Sequence, residues 1–301
     1  MIRRETLPPI SDYGLIGNRH SCALIERSGT IDWCCLPHLD DASVFGALLD
    51  LRRGGHWRVG PAGRASTSRA YLGIAPVLVT EFAAGSGRLR LTDFLPIRRG
   101  RGSEVSFSAH SIVRTVECLA GEVEVEVEWR PRPNYARDDV ELNLEGDAVR
   151  ARSARCDLWL RGLPLEGIEI TEATALHRFR MAGGERVDLI CGMGEPDHEP
   201  VTGTARRLLE ETMEWWERWG ERSRIPPGAE QWSDLARRSG MVLKLLSNER
   251  SGAIAAARYT TSPVTAARFE STESVWSNSA IGNVMSGSLR GPAVSTPLRP
   301  A

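Results

Sequence analysis

The sequence predicts a mainly β protein, a large antiparallel β-sandwich that is followed by helices. Residues 121–129 alternate strictly between apolar and acidic side chains, which is the period of a strand with one wet face. Up to about residue 190, short segments rich in β-branched residues are separated by Gly, Pro and Asp turns. From about residue 204 the apolar period lengthens to three and four residues, so the architecture changes to helix.

The first half of the chain predicts two hairpins. Residues 23–26 and 31–36 flank the turn signal Ser28-Gly29-Thr30, and residues 77–82 and 88–94 form a second such pair. The clearest single strand is 121–129, in which valines and Trp129 share one face and four glutamates share the other. We expect the glutamate face to be solvated.

The segment 105–117 is rich in β-branched residues, and we expect it to pair with the Val/Glu strand. Further short strands are predicted near 148–151, 157–160, 168–171, 176–179 and 186–190.

Two helices are predicted after the strands. Residues 204–222 carry Leu208, Met213 and Trp216 at helical spacing, and the sequence Pro226-Pro227-Gly228 ends the element. Trp215, Trp216 and Trp219 predict packing of this helix onto the sandwich. A second helix is predicted over 230–248.

The second helix carries an apolar stripe, and we expect its Val242, Leu243 and Leu246 to be exposed because neighbouring helices are absent. The stripe also includes Trp232 and Leu235. From residue 258 to 301 the sequence is rich in Ser, Thr, Ala and Pro without an apolar period, which predicts disorder.

Bulk composition excludes several classes of function. The 301 residues are 41% hydrophobic and 26% charged, with a formal net charge of −1, so nothing indicates a nucleic-acid or membrane partner. No stretch approaches the roughly 18 apolar residues of a membrane span, and the first residues lack the apolar region of a signal peptide. We therefore expect a cytoplasmic location.

The cysteines and histidines predict no metal site. The chain has 6 of each, and none of them stands at the spacing that zinc ligands need. We expect reduced, mostly buried thiols, no metal and no cofactor.

Several motifs occur in a characteristic order along the chain. The segment 10–18 reads I-S-D-Y-G-L-I-G-N, and the segment 23–50 contains I-D-W-C-C-L-P. Later landmarks are L-T-D-F-L-P at 91–96, R-P-R-P-N-Y-A at 130–136 and G-A-I-A-A-A at 252–257. In sequence and order these motifs resemble glycoside hydrolase family 15, the prokaryotic glucoamylase and trehalase-like enzymes, and the first two segments are similar to the opening of that family.

The resemblance implies a sandwich, a linker helix and a catalytic (α/α)6 barrel. The domains it implies are a trehalase-like β-sandwich at 1–198, a linker helix at 199–229 and the first barrel helix at 230–257. Residues 258–301 then form a disordered tail, which we interpret as out of frame, since the N-W-D-Y-R motif expected next in the family is absent. Twelve helices of about 11–12 residues need about 140 residues before any loops, so the barrel is expected to be truncated.

The segment that matches the family best also holds the candidate site residues. Trp33, His38, Asp40 and Asp41 combine aromatic and carboxylate groups, with which proteins hold sugars, and their loop could approach the barrel mouth. The same pattern fits an aspartate that caps a helix starting near Ser43. Both interpretations stay open at this point.

The resemblance implies α-glucoside hydrolysis with inversion, which needs two carboxylates on opposite sides of the scissile bond. The catalytic glutamates of the family lie further downstream, so this chain is predicted to have no catalytic residue and to be inactive alone. Its partners would be an α-glucan or α-glucoside if the barrel were present, or a separately encoded barrel. The alternative is a stand-alone sandwich that binds glycan or a partner subunit, which would require an exposed aromatic platform.

Overall fold

The computed structural model of the chain describes residues 6–85, 87–99, 106–107, 110–171, 173–196, 199–222, 228, 230–249 and 254. The predicted tail at 258–301 lies outside the described residues, as do most residues from 250 to 257.

The described residues form eighteen strands, and their ladders are antiparallel. In chain order the strands are β1 (Tyr13–Gly17), β2 (Cys22–Glu26), β3 (Thr30–Cys35), β4 (Ser43–Phe45), β5 (His56–Pro61), β6 (Ser66–Tyr71), β7 (Leu78–Ala84), β8 (Gly87–Phe94), β9 (Arg98–Arg99), β10 (Ser106–Phe107), β11 (Ser111–Ala120), β12 (Glu122–Arg130), β13 (Glu141–Glu145), β14 (Ala148–Arg152), β15 (Asp157–Arg161), β16 (Glu169–Thr171), β17 (Thr174–Ala182) and β18 (Arg186–Met193).

Two eight-stranded sheets face each other as a sandwich, which confirms the predicted fold class. Sheet 1 has the order β1-β2-β3-β5-β12-β17-β16, with β4 paired to β3. Sheet 2 has the order β13-β14-β15-β18-β11-β8-β7-β6, and β9 and β10 form a separate ribbon. Both predicted hairpins are present as β2–β3 and β7–β8.

The core between the sheets is built by the apolar face of each strand. Ile25, Trp57 and Trp129 of sheet 1 are fully buried in one cluster with Leu89 and Leu91 of sheet 2. Trp129 ends the valine face of β12, so the period-2 pattern read from the sequence places it inside.

The predicted pairing of the 105–117 segment with the Val/Glu strand is wrong. Strand β11 pairs with β8 and β18 in sheet 2, while β12 pairs with β5 and β17 in sheet 1. Gly121, at φ +70°, turns the chain from one sheet to the other. Most residues of β11 are buried on both faces, which suits a central strand, whereas β12 needs one face for its glutamates.

The expectation of a solvated glutamate face is also wrong for two of the four residues. Glu126 is 3% and Glu128 is 5% exposed, because basic side chains of the neighbouring strands cover them. Glu126 accepts hydrogen bonds from Arg58 at 2.8 Å and Arg178 at 2.8 Å. Cross-strand ion pairs therefore take the place of water around the glutamates on this part of sheet 1.

Two helices pack against the outside of the sandwich. Helix α1 (Val201–Glu221) confirms the predicted linker helix and lies against β18, with Trp216 fully buried. Thr212 attaches the helix to the segment after β8, because its Oγ1 accepts a hydrogen bond from the Ile97 backbone N–H at 3.0 Å. None of the helices in the described part of the chain is long and apolar enough to cross a bilayer.

Helix α2 (Ser233–Leu246) follows a short 3-10 turn (Glu230–Trp232) and corrects the predicted exposed stripe. Leu246 is 3% exposed, and Met241 and Leu245 are buried in the same cluster as Trp216. This helix packs on the sandwich and on α1. Val242 is half-buried, whereas Leu243 and the Trp232 end of the stripe are exposed.

Candidate functional site

The predicted site residues lie at the end of β3 and in the loop after it, and the structure brings two of the four together. Asp41 Oδ2 accepts hydrogen bonds from the His38 backbone N–H at 2.9 Å and from His38 Nδ1 at 3.0 Å. Asp40 is exposed on the same loop. Ser43 begins strand β4, so the alternative role of Asp40 or Asp41 as a helix cap is wrong.

Trp33, in contrast to the residues of this loop, is buried in the core. Its side chain is 6% exposed, and its ring centroid lies 6.5 Å from that of Tyr135. Tyr135 lies in a left-handed turn (φ +57°). Trp33 therefore packs in a second core cluster, which also contains Trp216, Met241 and Leu245. Sugar contact by Trp33 stays a prediction.

Two further histidines, His20 and His110, lie next to His38, so that three imidazole rings form a cluster. His20 comes from the β1–β2 turn, His38 from the loop after β3, and His110 immediately precedes β11. The ring centroids are 5.8 Å apart for His20–His38, 5.4 Å for His38–His110 and 6.4 Å for His20–His110. The sequence did not reveal this cluster, because the three residues are far apart in the chain and only the strand order joins them.

The histidine cluster also connects the sandwich to the segment after α2. His20 Nε2 lies 2.9 Å from Glu249 Oε2, and Arg19 Nη1 lies 3.5 Å from Glu249 Oε1. Arg19 has a left-handed backbone (φ +72°), and its guanidinium lies over the Trp215 ring at 5.5 Å. The β1–β2 turn thus contacts the segment that follows α2 through ion pairs with Glu249.

Electrostatics within the cluster favour a neutral His110. Partial burial, and then the neighbouring charges of His38 and His20, lower the pKa of His110 below its usual value. A hydrogen bond to the Pro37 carbonyl and the charge of Asp41 oppose this shift without cancelling it.

Acidification is expected to weaken the contribution of His110 to stability. Because its pKa is lower in the folded than in the unfolded chain, that contribution is complete above the ordinary value of about 6.5 and is lost as pH falls through the folded-state pKa. Calorimetry should therefore show that the melting temperature of a His110→Gln variant falls less than that of the parent chain between about pH 7.5 and 5.5. Parallel pH curves would contradict this assignment.

The buried carboxylates of the sandwich are occupied by basic partners. Asp93 binds Arg114 at 2.8 Å, and Asp188 binds Arg186 at 2.8 Å and Thr115 at 2.6 Å. Burial raises the pKa of Glu128, but the hydrogen bond and charge of His56, together with the charges of Arg130 and Arg58, lower that pKa overall. Carboxylates held in this way stabilise strands and are poorly placed to protonate a leaving group.

Burial disfavours a nucleophilic role for several of the thiols. All six cysteines are buried and unbridged. Burial raises the pKa of Cys34, Cys156 and Cys191, in the case of Cys156 to about 12. A thiolate at neutral pH is therefore disfavoured at these three positions.

Known proteins resemble most of this chain. The family described as "Trehalase-like, N-terminal" matches residues 2–215. A trehalase of Mycolicibacterium smegmatis is 30% identical over 282 residues, covering 87% of this chain and 42% of its own length. A trehalase of Mycobacterium tuberculosis is 30% identical over 284 residues (87% and 41%), and one of Thermoplasma volcanium is 28% identical over 267 residues (84% and 40%). The chain spans about two fifths of the length of these relatives.

Proposed function

This chain belongs to the trehalase-like N-terminal family, and from that premise we propose that it is the non-catalytic N-terminal portion of a glycoside hydrolase acting on α-glucosides. The observation that carries the proposal is the similarity of the chain to about two fifths of several trehalases. In this account the catalytic carboxylates belong to an (α/α)6 barrel of the family 15 type. The names of the relatives favour trehalose over a longer α-glucan.

The pairing of the buried carboxylates supports a non-catalytic role. An inverting hydrolase needs a proton donor and a base about 6.5–9.5 Å apart with room for a water molecule. Glu126, Glu128, Asp93 and Asp188 are at most 5% exposed and bind arginine or histidine. These four carboxylates therefore stabilise the sandwich through their ion pairs.

The loop that carries His38, Asp40 and Asp41 is proposed to face the barrel and its sugar. Glu249 supports this placement, since the segment after α2 returns to His20 beside the same loop. The domain limits proposed with it are a sandwich at 1–198, a linker helix at 199–229 and a first barrel helix within 230–257.

The purified chain is expected to release no glucose from trehalose or from maltooligosaccharides. The physical reason is that the four buried carboxylates named above bind arginine or histidine and are therefore not available as an acid–base pair. A glucose-release assay checks this, with the Mycolicibacterium smegmatis trehalase as positive control in the same buffer. Glucose release that scales with the concentration of the chain would contradict a non-catalytic role.

A stand-alone glycan-binding sandwich is the second candidate, and the surface gives it less support. Trp232 is the one aromatic residue among the exposed large apolar side chains of the described residues. It lies on the 3-10 turn before α2 and not on a sheet face. Affinity of the chain for maltodextrin that a Trp232→Ala substitution abolishes would favour this candidate.

A further inference from the structure

The turn between β1 and β2, residues 18–21, is fixed by Asn18, which is 2% exposed. The side-chain Oδ1 of Asn18 accepts hydrogen bonds from the backbone N–H groups of His20 at 3.2 Å and Ser21 at 3.0 Å. Its Nδ2 donates to the Pro96 carbonyl at 3.2 Å, which attaches the turn to the segment after β8. The backbone carbonyls of this turn are therefore held in defined positions.

Two consecutive carbonyls of the turn bind two different segments of the chain. The Leu39 N–H donates to the His20 carbonyl at 2.7 Å, and the Glu249 N–H donates to the Arg19 carbonyl at 3.3 Å. Leu39 belongs to the loop at 36–42 after β3, whereas Glu249 belongs to the segment after α2. One short turn thus carries backbone hydrogen bonds to both segments.

Side chains strengthen the contact between the turn and Glu249. Its two carboxylate oxygens lie 2.9 Å from His20 Nε2 and 3.5 Å from Arg19 Nη1. The exposed fractions of the Glu249, His20 and Arg19 side chains are 16%, 11% and 13%. Charges that are mostly out of water are screened little by salt, so this contact is stronger than an ion pair between exposed side chains.

The loop at 36–42 is closed on itself and contacts the same histidine of the turn. Asp41 binds the backbone and the ring of His38 through the two hydrogen bonds described above, and the Asp41 N–H donates to the His38 carbonyl at 3.2 Å. The centroid of the His38 ring lies 5.8 Å from that of the His20 ring. A displacement of His20 therefore acts on the loop through the backbone bond to Leu39 and through the neighbouring ring.

We propose that the β1–β2 turn is a clasp that couples these two segments, so that loss of the Glu249 contact also loosens the loop that carries Asp40 and Asp41. The role of the clasp in hydrolysis rests on the proposed function, which places this loop at the sugar. Glu249 is then a positioning residue, because it acts on the loop through His20. A shift of the segment that leads towards the barrel reaches the loop by this route.

Hydrogen–deuterium exchange of the full chain, followed by NMR, measures the two backbone bonds of the clasp at the amides of residues 39 and 249. Glu249→Gln removes the charge and keeps the size of the side chain. After correction for intrinsic exchange rates, it should speed exchange at both amides about fivefold, because a charged hydrogen-bond partner is lost. His20→Gln keeps the backbone carbonyl at position 20 and should speed exchange at Leu39 by a similar factor. The double variant should show no larger increase than either single variant, because both substitutions break the same contact.

The matched control is Glu145→Gln, which removes a carboxylate paired with Arg152 in the β13–β14 hairpin of sheet 2. This control should leave exchange at residues 39 and 249 at the parent rates. Amides of the central strand β11 report global unfolding and should stay slow in every variant. An unchanged Leu39 rate in Glu249→Gln, or additive effects of the two clasp substitutions, would overturn the proposal.

The parent chain decides the question even if a variant fails to fold. Exchange in increasing, sub-denaturing urea should give Leu39 and Glu249 one common opening free energy and one common urea slope, because the clasp opens as a unit. Different slopes at the two amides would show that the segments open separately and that no clasp joins them. These rates do not depend on catalysis, so the clasp and the glucose-release result can fail independently of each other.

Discussion

Replacing Arg114 by methionine is expected to lower the free energy of unfolding by about 3–5 kcal/mol, the range for breaking one side of a buried ion pair. Arg114 and Asp93 are both 0% exposed and lie 2.8 Å apart. The same guanidinium donates to the carbonyls of Trp57 at 2.7 Å and Gly29 at 2.6 Å, and it stacks 5.0 Å from the Trp57 ring centroid. One side chain of sheet 2 thus donates to a carbonyl of strand β5 in sheet 1 and to a carbonyl of the β2–β3 turn.

The pH dependence of this variant follows from Asp93. Burial already raises the pKa of Asp93 against the opposing charge of Arg114, and losing Arg114 removes that opposition. A carboxyl whose folded pKa is raised favours the folded state at lower pH, because the folded chain binds the proton more tightly. Urea denaturation should therefore show the deficit of Arg114→Met shrinking as pH falls below neutral.

Two further variants separate charge from packing. Asp93→Asn combined with Arg114→Met removes the uncompensated charge and should recover part of the loss. Arg152→Met removes an exposed arginine paired with Glu145 and should leave the unfolding midpoint unchanged. If Arg114→Met were as stable as Arg152→Met, the buried pair would not join the two sheets.

Replacing Trp216 by alanine is expected to cost about 3–5 kcal/mol of stability, as large core truncations do. Trp216 is fully buried on α1, with Trp215 and Trp219 ring centroids 5.0 and 5.5 Å away. Its loss leaves a cavity between α1 and the rest of the second core cluster. Denaturant unfolding followed by tryptophan fluorescence measures the change.

The matched control is Trp232→Ala, the same substitution at a side chain that is 59% exposed. A surface change of this kind is expected to stay within about 0.5 kcal/mol. A similar cost at both positions would mean that α1 does not depend on Trp216 for its attachment to the sandwich.

Local patterns predicted the sandwich and the linker helix because each depends on periodicity within one segment. The Val/Glu alternation fixed the buried face of β12, and the spacing of Leu208 and Trp216 fixed that of α1. The two hairpins followed from their turn residues, and Gly29 shows why. It has φ +82°, and a Cβ there would lie 2.2 Å from the Val59 carbonyl oxygen.

Strand order could not be predicted in the same way, since it depends on which faces must be covered. The strands β11 and β12 are consecutive in sequence yet belong to different sheets. For the same reason the sequence missed the histidine cluster, whose three members meet only through the folded strand ends. The buried ion pair of Asp93 and Arg114 was missed too, because charged residues are expected at the surface.

We propose that the catalytic carboxylates are encoded outside this sandwich. Sequencing the encoding DNA from the codon of Gly252 onward, and translating it in all three frames, tests this most directly. We expect one frame to contain the N-W-D-Y-R motif, followed by amphipathic helices that carry a pair of glutamates. If no frame contains them, the hydrolase proposal is contradicted, and a binding role for the sandwich takes its place.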